Sequence, residues 1–145
     1  MPRVQQWLEK YDLNDRVTVT GWVSYVELER LLDKISVGVV PMKDTFYNRY
    51  LTAPIKIFDY LSRGIPVVAA DLPSAREFIE DGKEGVFYKP EVPGDLASAI
   101  FRLLQSEDQL QDLSRGAMEK ARVLSWERRA EQILDFVARR DERSS

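Results

Sequence analysis

The chain has 145 residues, 44% of them hydrophobic and 31% charged, which suits one soluble domain. Lys and Arg number 21 against 24 Asp and Glu, a formal net charge of −3, which argues against a module that binds nucleic acid by neutralising phosphates. There is no Cys and no His. That excludes disulfides, thiolate or imidazole metal sites and any Ser-His-Asp triad, and leaves carboxylates, Lys, Arg, hydroxyls, backbone dipoles or the substrate to do any chemistry.

The first residues lack the apolar core of a secretory signal. The longest apolar stretches, 37–42 and 65–70, fall far short of the about 18 residues a membrane span needs. We therefore expect a cytoplasmic protein, with loose attachment to the inner membrane face left open.

Taken in chain order, Val4, Trp7 and Leu8 fall at helical spacing and predict a helix over 2–11, with Pro2 near its start. Residues 16–23 alternate Val17 and Val19 with Thr18 and Thr20, which predicts a strand ended by Gly21. Ser24 with Glu27 three positions on is a capping box for a helix over 25–35. ISVGVVP at 35–41 reads as a strand covered on both faces. Residues 43–51 are a polar and aromatic loop. Thr52 then caps a helix running to about Ser62, Pro54 sits in its first turn, and Gly64 ends it. PVVAA at 66–70 is a buried strand, 74–79 a short helix, and 85–89 a last strand. Three helices follow, starting near Asp95, near Leu110 with a cap at Asp108, and at Ser125-Trp126. The last one points Ala130, Ile133, Leu134, Phe136 and Val137 inward, with Trp126 as its core anchor. The expected domain is 1–140, with 141–145 a charged, frayed tail.

Strands that alternate with helices define an α/β class with a parallel sheet, here of four strands flanked by helices. Ligands of such sheets sit beyond the carboxyl ends of the strands. That puts Gly21-Trp22-Val23, the stretch 41–54 and the stretch 71–74 on the functional rim. The helix start at Thr52–Pro54 offers free N–H groups and the positive end of a dipole, a natural place for phosphate. Lys56 adds a charge one turn in. Asp59, three residues further, is a poor phosphate ligand but a good hydroxyl acceptor. A nucleoside diphosphate satisfies both, its phosphates at the helix start and its ribose at Asp59.

At these residues the sequence resembles a family. APIKIFDYLSRGIPVVAAD at 53–71 is similar to the donor-binding segment of GT-B glycosyltransferases, above all the group 1, family 4 retaining type. Those enzymes often carry Pro-x-Lys-x-x-Glu-Tyr-x-x-x-Gly-x-Pro-Val-Val, matched here by Pro54, Lys56, Asp59, Tyr60, Gly64, Pro66, Val67 and Val68. NDRVTVTGWVSYVELERLL, ISVGVVPMKD, SAREFIEDGKEGVFYKPEVPGDLASAI and LSWERRAEQIL resemble the surrounding pieces in the same order, so the likeness runs over 5–137. It implies a Rossmann-like fold and transfer of a sugar from a nucleotide diphosphate sugar to a hydroxyl acceptor, without a metal or other cofactor. It implies that Asp59 meets the donor ribose, that Thr52, Ala53 and Pro54 face the diphosphate with help from Lys56, and that Gly21, Trp22, Val23, Val40 and Pro41 border the nucleobase.

Three departures accompany the likeness. Leu51 stands where many members carry a Glu that contacts the transferred sugar, and Asp59 is one methylene shorter than the family's Glu. The family's strand-helix-strand unit ahead of this part has no counterpart, nor has the acceptor-binding N-terminal domain. In the usual 3-2-1-4-5-6 order that leaves a gap between the first expected strand and the next. We therefore expect the C-terminal part of a longer enzyme, weak or inactive alone, with a rearranged sheet, a swapped homodimer or a missing partner segment.

Plainer roles compete. Asp59 could pair with Lys56 or Arg63, Lys56 could be a surface charge, and Trp22 could be a packing residue. The Phe46-Tyr47-Arg49-Tyr50 cluster is a loop that orders on ligand or an interface. At the level of the whole chain, the alternatives are a non-catalytic binding or assembly domain derived from a glycosyltransferase, and a receiver-like signalling module. The expected strands lack the acidic set a receiver needs.

Overall fold

The computed structural model describes residues 2–142. It falls into two compact units, 1–31 and 32–145. The first holds helix α1 (Pro2–Lys10) and most of α2 (Tyr25–Leu32). The capping box at α2 forms as expected. The Ser24 N–H donates to Glu27 Oε2 at 2.8 Å, the Ser24 hydroxyl donates to the same oxygen at 2.7 Å, and the Glu27 N–H returns to Ser24 Oγ at 3.3 Å. These bonds, the one from the Ser24 N–H first, hold the Glu27 carboxyl below its ordinary pKa.

The strand expected at 16–21 does not form: these residues are irregular, with Val17 and Val19 exposed. Alternating β-branched residues favour a strand only where a neighbouring strand accepts and donates the ladder bonds, and among the described residues none pairs with this stretch.

The second unit is a three-stranded parallel sheet rather than the expected four, in the order β1 (Gly38–Val40), β2 (Val67–Ala70), β3 (Gly85–Tyr88). Val39 pairs with Val68, and Val68 with Val86. Every residue of β2 is buried, as PVVAA predicts for a central parallel strand. Its side chains alternate between two cores. Val67 and Ala69 join Val40 with Ile57 and Leu61 of α4 (Ile55–Leu61) and Ala117 of α7 (Glu107–Val123). Val68 and Ala70 join Ala99 and Leu103 of α6 (Asp95–Leu104) with Leu113 of α7. The sheet therefore carries helices on both faces, as the α/β reading requires.

Local signals account for the helix ends. Gly64 has φ +65°, and the Ile65 N–H reaches the Tyr60 carbonyl at 3.0 Å while the Gly64 N–H reaches Leu61, the bond pair of a Schellman stop. Ser106, not Asp108, caps α7 by accepting from the Gln109 N–H at 3.2 Å. A cap must lie just outside the first turn, and Asp108 is already within it. The last helix, α8 (Trp126–Glu142), includes 141 and 142, and 143–145 lie outside the described residues. Its expected inward face is open: Ile133, Leu134, Phe136 and Val137 are exposed, and Trp126 is 86% exposed rather than a core anchor. A 3.6-residue apolar period shows which face a helix would bury, not whether the chain supplies the cover.

Gly116 marks the closest approach of α7 to the turn before β3. A Cβ there would stand 2.1 Å from the Lys83 carbonyl oxygen. Backbone cannot yield as a side-chain tip can, so Gly116→Ala should destabilise the protein by about 1–3 kcal/mol. Urea unfolding measures it; an unchanged midpoint would show that α7 can slide.

Candidate functional site

The carboxyl end of β1 leads into the rim that the sequence singles out. Val40 is buried and Pro41 exposed, and the chain then enters a segment that is not a plain loop. Residues 46–50 form a short helix, α3 (Phe46–Tyr50), which the aromatic composition of KDTFYNRYL concealed. Its signal was a cap. Thr45 has extended backbone and accepts from the Asn48 N–H at 3.1 Å. Asn48 Nδ2 donates to the Lys43 carbonyl at 2.9 Å, and Arg49 forks onto Asp44, Nε to Oδ1 at 2.5 Å and Nη2 to Oδ2 at 2.7 Å. The Arg49 hydrogen bond holds the Asp44 carboxyl below the usual carboxylate range, and the same bond pushes Arg49 up.

Four residues separate α3 from α4. Leu51 and Ala53 are exposed, Thr52 is half-buried and Pro54 is buried. Pro54, not Thr52, stands at the N-cap of α4, with no side-chain cap bond. A Pro ring fixes φ and accepts nothing, so the helix start stays uncapped. The Ile57 N–H turns back to the Pro54 carbonyl at 2.9 Å, and helix geometry gives the Ile55 and Lys56 N–H groups no partner within α4.

Lys56 is exposed and Asp59 half-buried on α4. Among the described residues no carboxylate pairs with Lys56 and no cation pairs with Asp59; Arg63 instead reaches Asp33 at 2.5 Å. The ion-pair alternative for Asp59 therefore does not form. Next to Asp59, Tyr60 lies half-buried against β1 with its ring beside Gly38, and its phenol is pushed up chiefly by burial. The packing of Ile57 and Leu61 with Val40 sets α4 against β1; Lys56 and Asp59 lie on that helix and Pro54 at its N-cap. Gly21, Trp22 and Val23 belong to the first unit, where Trp22 is fully exposed.

The end of β2 completes the rim. The half-buried Asp71 accepts from Arg76 Nε at 2.5 Å, and the Arg76 guanidinium lies 4.5 Å from the centre of the Phe87 ring. Short helix α5 (Pro73–Arg76) follows, and its buried Ser74 donates its hydroxyl to the Asn48 carbonyl of α3 at 2.5 Å. Tyr88 of β3 is buried in the cluster against which Met42 packs, and burial pushes its phenol up. The segment after β1 is thus tied to α5 by the Ser74 bond. At the opposite, amino end of the strands a concavity of about 620 Å³ is lined by Ile35, Arg63, Pro66, Glu107 and Ser114. It lies away from the strand ends where parallel sheets place ligands. Among the described residues no helix is long and apolar enough to cross a membrane, and no cluster of Asp or Glu is placed to hold a metal ion.

The family model for "Glycosyl transferases group 1" matches residues 1–106. The chain belongs to the group 1 glycosyltransferases. Among curated relatives, a D-inositol 3-phosphate glycosyltransferase of Nocardioides sp. is 37% identical over 76 residues, covering 52% of this chain and 17% of its own. An alpha-D-kanosaminyltransferase of Streptomyces kanamyceticus is 27% identical over 116 residues, 80% of this chain and 28% of its own. The chain thus spans less than a third of the length of either relative. Among solved structures, sucrose-phosphate synthase from Thermosynechococcus elongatus superposes with TM-score 0.78 at 24% identity, over 99% of this chain and 35% of that one. Anabaena HepE in complex with UDP superposes with TM-score 0.72 at 19% identity, over 94% and 36%. The GT-B-type α/β fold expected from the sequence is the one found.

The Asp44 pairing gives a pH test. A carboxyl whose folded pKa lies below its unfolded value contributes stability above about pH 3.9, and loses it as pH falls through the lower folded value. Carbon-detected NMR titration should place the Asp44 midpoint below 3.9 on that scale (about 3.9 being the ordinary value), and Arg49→Gln should return it there. Identical midpoints would mean that the Arg49 fork does not persist in solution.

Proposed function

We propose that this chain is the donor-binding part of a glycosyltransferase that takes a nucleotide diphosphate sugar and passes the sugar to a hydroxyl acceptor. The observation that carries the reading is the uncapped start of α4 beyond β1, with Lys56 and Asp59 on the same helix and both free of ion pairs, in a chain of the group 1 family. The relatives are named as glycosyltransferases, and HepE was solved with UDP, with UDP and glucose, and with UDP-glucose.

In this reading the Ile55 and Lys56 N–H groups and the Lys56 ammonium meet the diphosphate. They favour the charge that grows on it as the bond to the sugar breaks. The Asp59 carboxylate accepts from the ribose hydroxyls. Thr52, Ala53 and Pro54 shape the diphosphate side, and Val40 and Pro41 the base side. The leaving group is stabilised by backbone dipole and Lys56, so donor binding needs no metal. Retention of configuration at the sugar follows the family likeness.

The acceptor site is supplied by a further region of a longer polypeptide or by a partner, which a swapped homodimer would be one way to provide. The reading places the enzyme in the cytoplasm, with contact to a membrane surface made through that longer enzyme.

Calorimetric titration with UDP, GDP and their sugars tests the proposal. One nucleotide should bind, the binding should survive EDTA, and Asp59→Ala should weaken it about tenfold or more, the loss expected for a charge-assisted hydrogen bond. Binding that Asp59→Ala leaves untouched would remove Asp59 from the site. No binding to any of the four would favour an assembly domain derived from a glycosyltransferase.

A further inference from the structure

Helix α3 is held in an unusual way for its position. None of its residues is buried; Phe46, Tyr47 and Tyr50 are each at least 60% exposed, and the Phe46 and Tyr50 rings stand 5.3 Å apart. Hydrophobic burial therefore does not place it. Its bonds through Thr45, Asp44 and Lys43 are local and fasten the helix only to its own approach. The bond that reaches across the fold comes from Ser74, 26 residues away and only 3% exposed. Its hydroxyl satisfies the Asn48 carbonyl, one of the last helix carbonyls that α3 cannot pair internally.

Only residues 51–54 connect α3 to α4. Four residues span at most about 14 Å, so a shift of α3 is passed to Thr52, Ala53 and the start of α4. We propose that Ser74 is a positioning residue for the donor corner: its buried hydroxyl fixes α3 and, through the short 51–54 link, sets the diphosphate side of a site it does not touch. The inference rests on the donor-binding reading above and adds to it which side chain outside the site controls affinity. It also gives the aromatic cluster a role, as a wall held in register before any ligand arrives rather than a loop that orders afterwards.

The test pairs hydrogen exchange, followed by mass spectrometry, with calorimetric titration of UDP and GDP on this chain. Two variants are used: Ser74→Ala, and Ser106→Ala, which removes the α7 cap and serves as a stability control. In Ser74→Ala, exchange over 45–51 should quicken about tenfold while β2 stays protected. Nucleotide affinity should fall about tenfold, as misplacement of a binding group predicts. Ser106→Ala should lower the melting temperature without changing exchange at 45–51 or affinity. Unchanged exchange at 45–51 in Ser74→Ala would overturn the tie. Faster exchange with wild-type affinity would overturn its role at the site, as would an equal loss of affinity in Ser106→Ala. If the unmodified chain binds neither nucleotide, the donor reading fails with the positioning role, and the exchange result still decides separately whether Ser74 holds α3.

Discussion

The rest of the second unit depends on a four-residue strand with no exposed position. Every residue of β2 is buried, so each face must be covered. Val67 and Ala69 require the α4 side, and Val68 and Ala70 require α6. Small Ala residues at 69 and 70 leave room for helices to approach, and large residues on those helices fill it: Ile57 and Leu61 on one face, Leu103 and Leu113 on the other. Once α4 is fixed by Ile57 and Leu61, its start must project at the carboxyl end of β1. The position of the α4 start, with Lys56 in its first turn, is thus a consequence of core packing a turn away.

Two different forces build the rim. Helix α4 is set by burial, which is strong and non-directional. Helix α3 buries no residue and is set by hydrogen bonds, which are weaker but directional. The segments after the first two strands take part: Asp44 and Asn48 after β1, and Asp71 and Ser74 after β2. A rim braced this way keeps its backbone in place while the aromatic side chains of α3 stay exposed. That arrangement suits a surface meant to meet a ligand more than one meant to hide in a core.

The apolar faces that lack cover follow from the same physics. The stripe on α8 has the correct period for a buried helix and is exposed, and the alternating 17–20 segment has the composition of a strand and forms none. In neither case do the described residues supply the other half of the interaction.

The sequence by itself determined what depends on neighbours along the chain. The Ser24–Glu27 capping box, the left-handed Gly64, the buried PVVAA strand and the α/β order rest on local chemistry or on a period, and all appear in the structure. The family was legible as well, because the spacing from Pro54 to Val68 is a local pattern, and the family model matches residues 1–106. Tertiary structure decided what depends on residues far apart. It withheld a partner from 16–21, left Trp126 in solvent, moved the start of α4 from Thr52 to Pro54, and turned an aromatic loop into a helix tied to Ser74. A ladder bond, a helix cover and a 26-residue hydrogen bond each need a second group placed by the whole fold, and no window of sequence contains both.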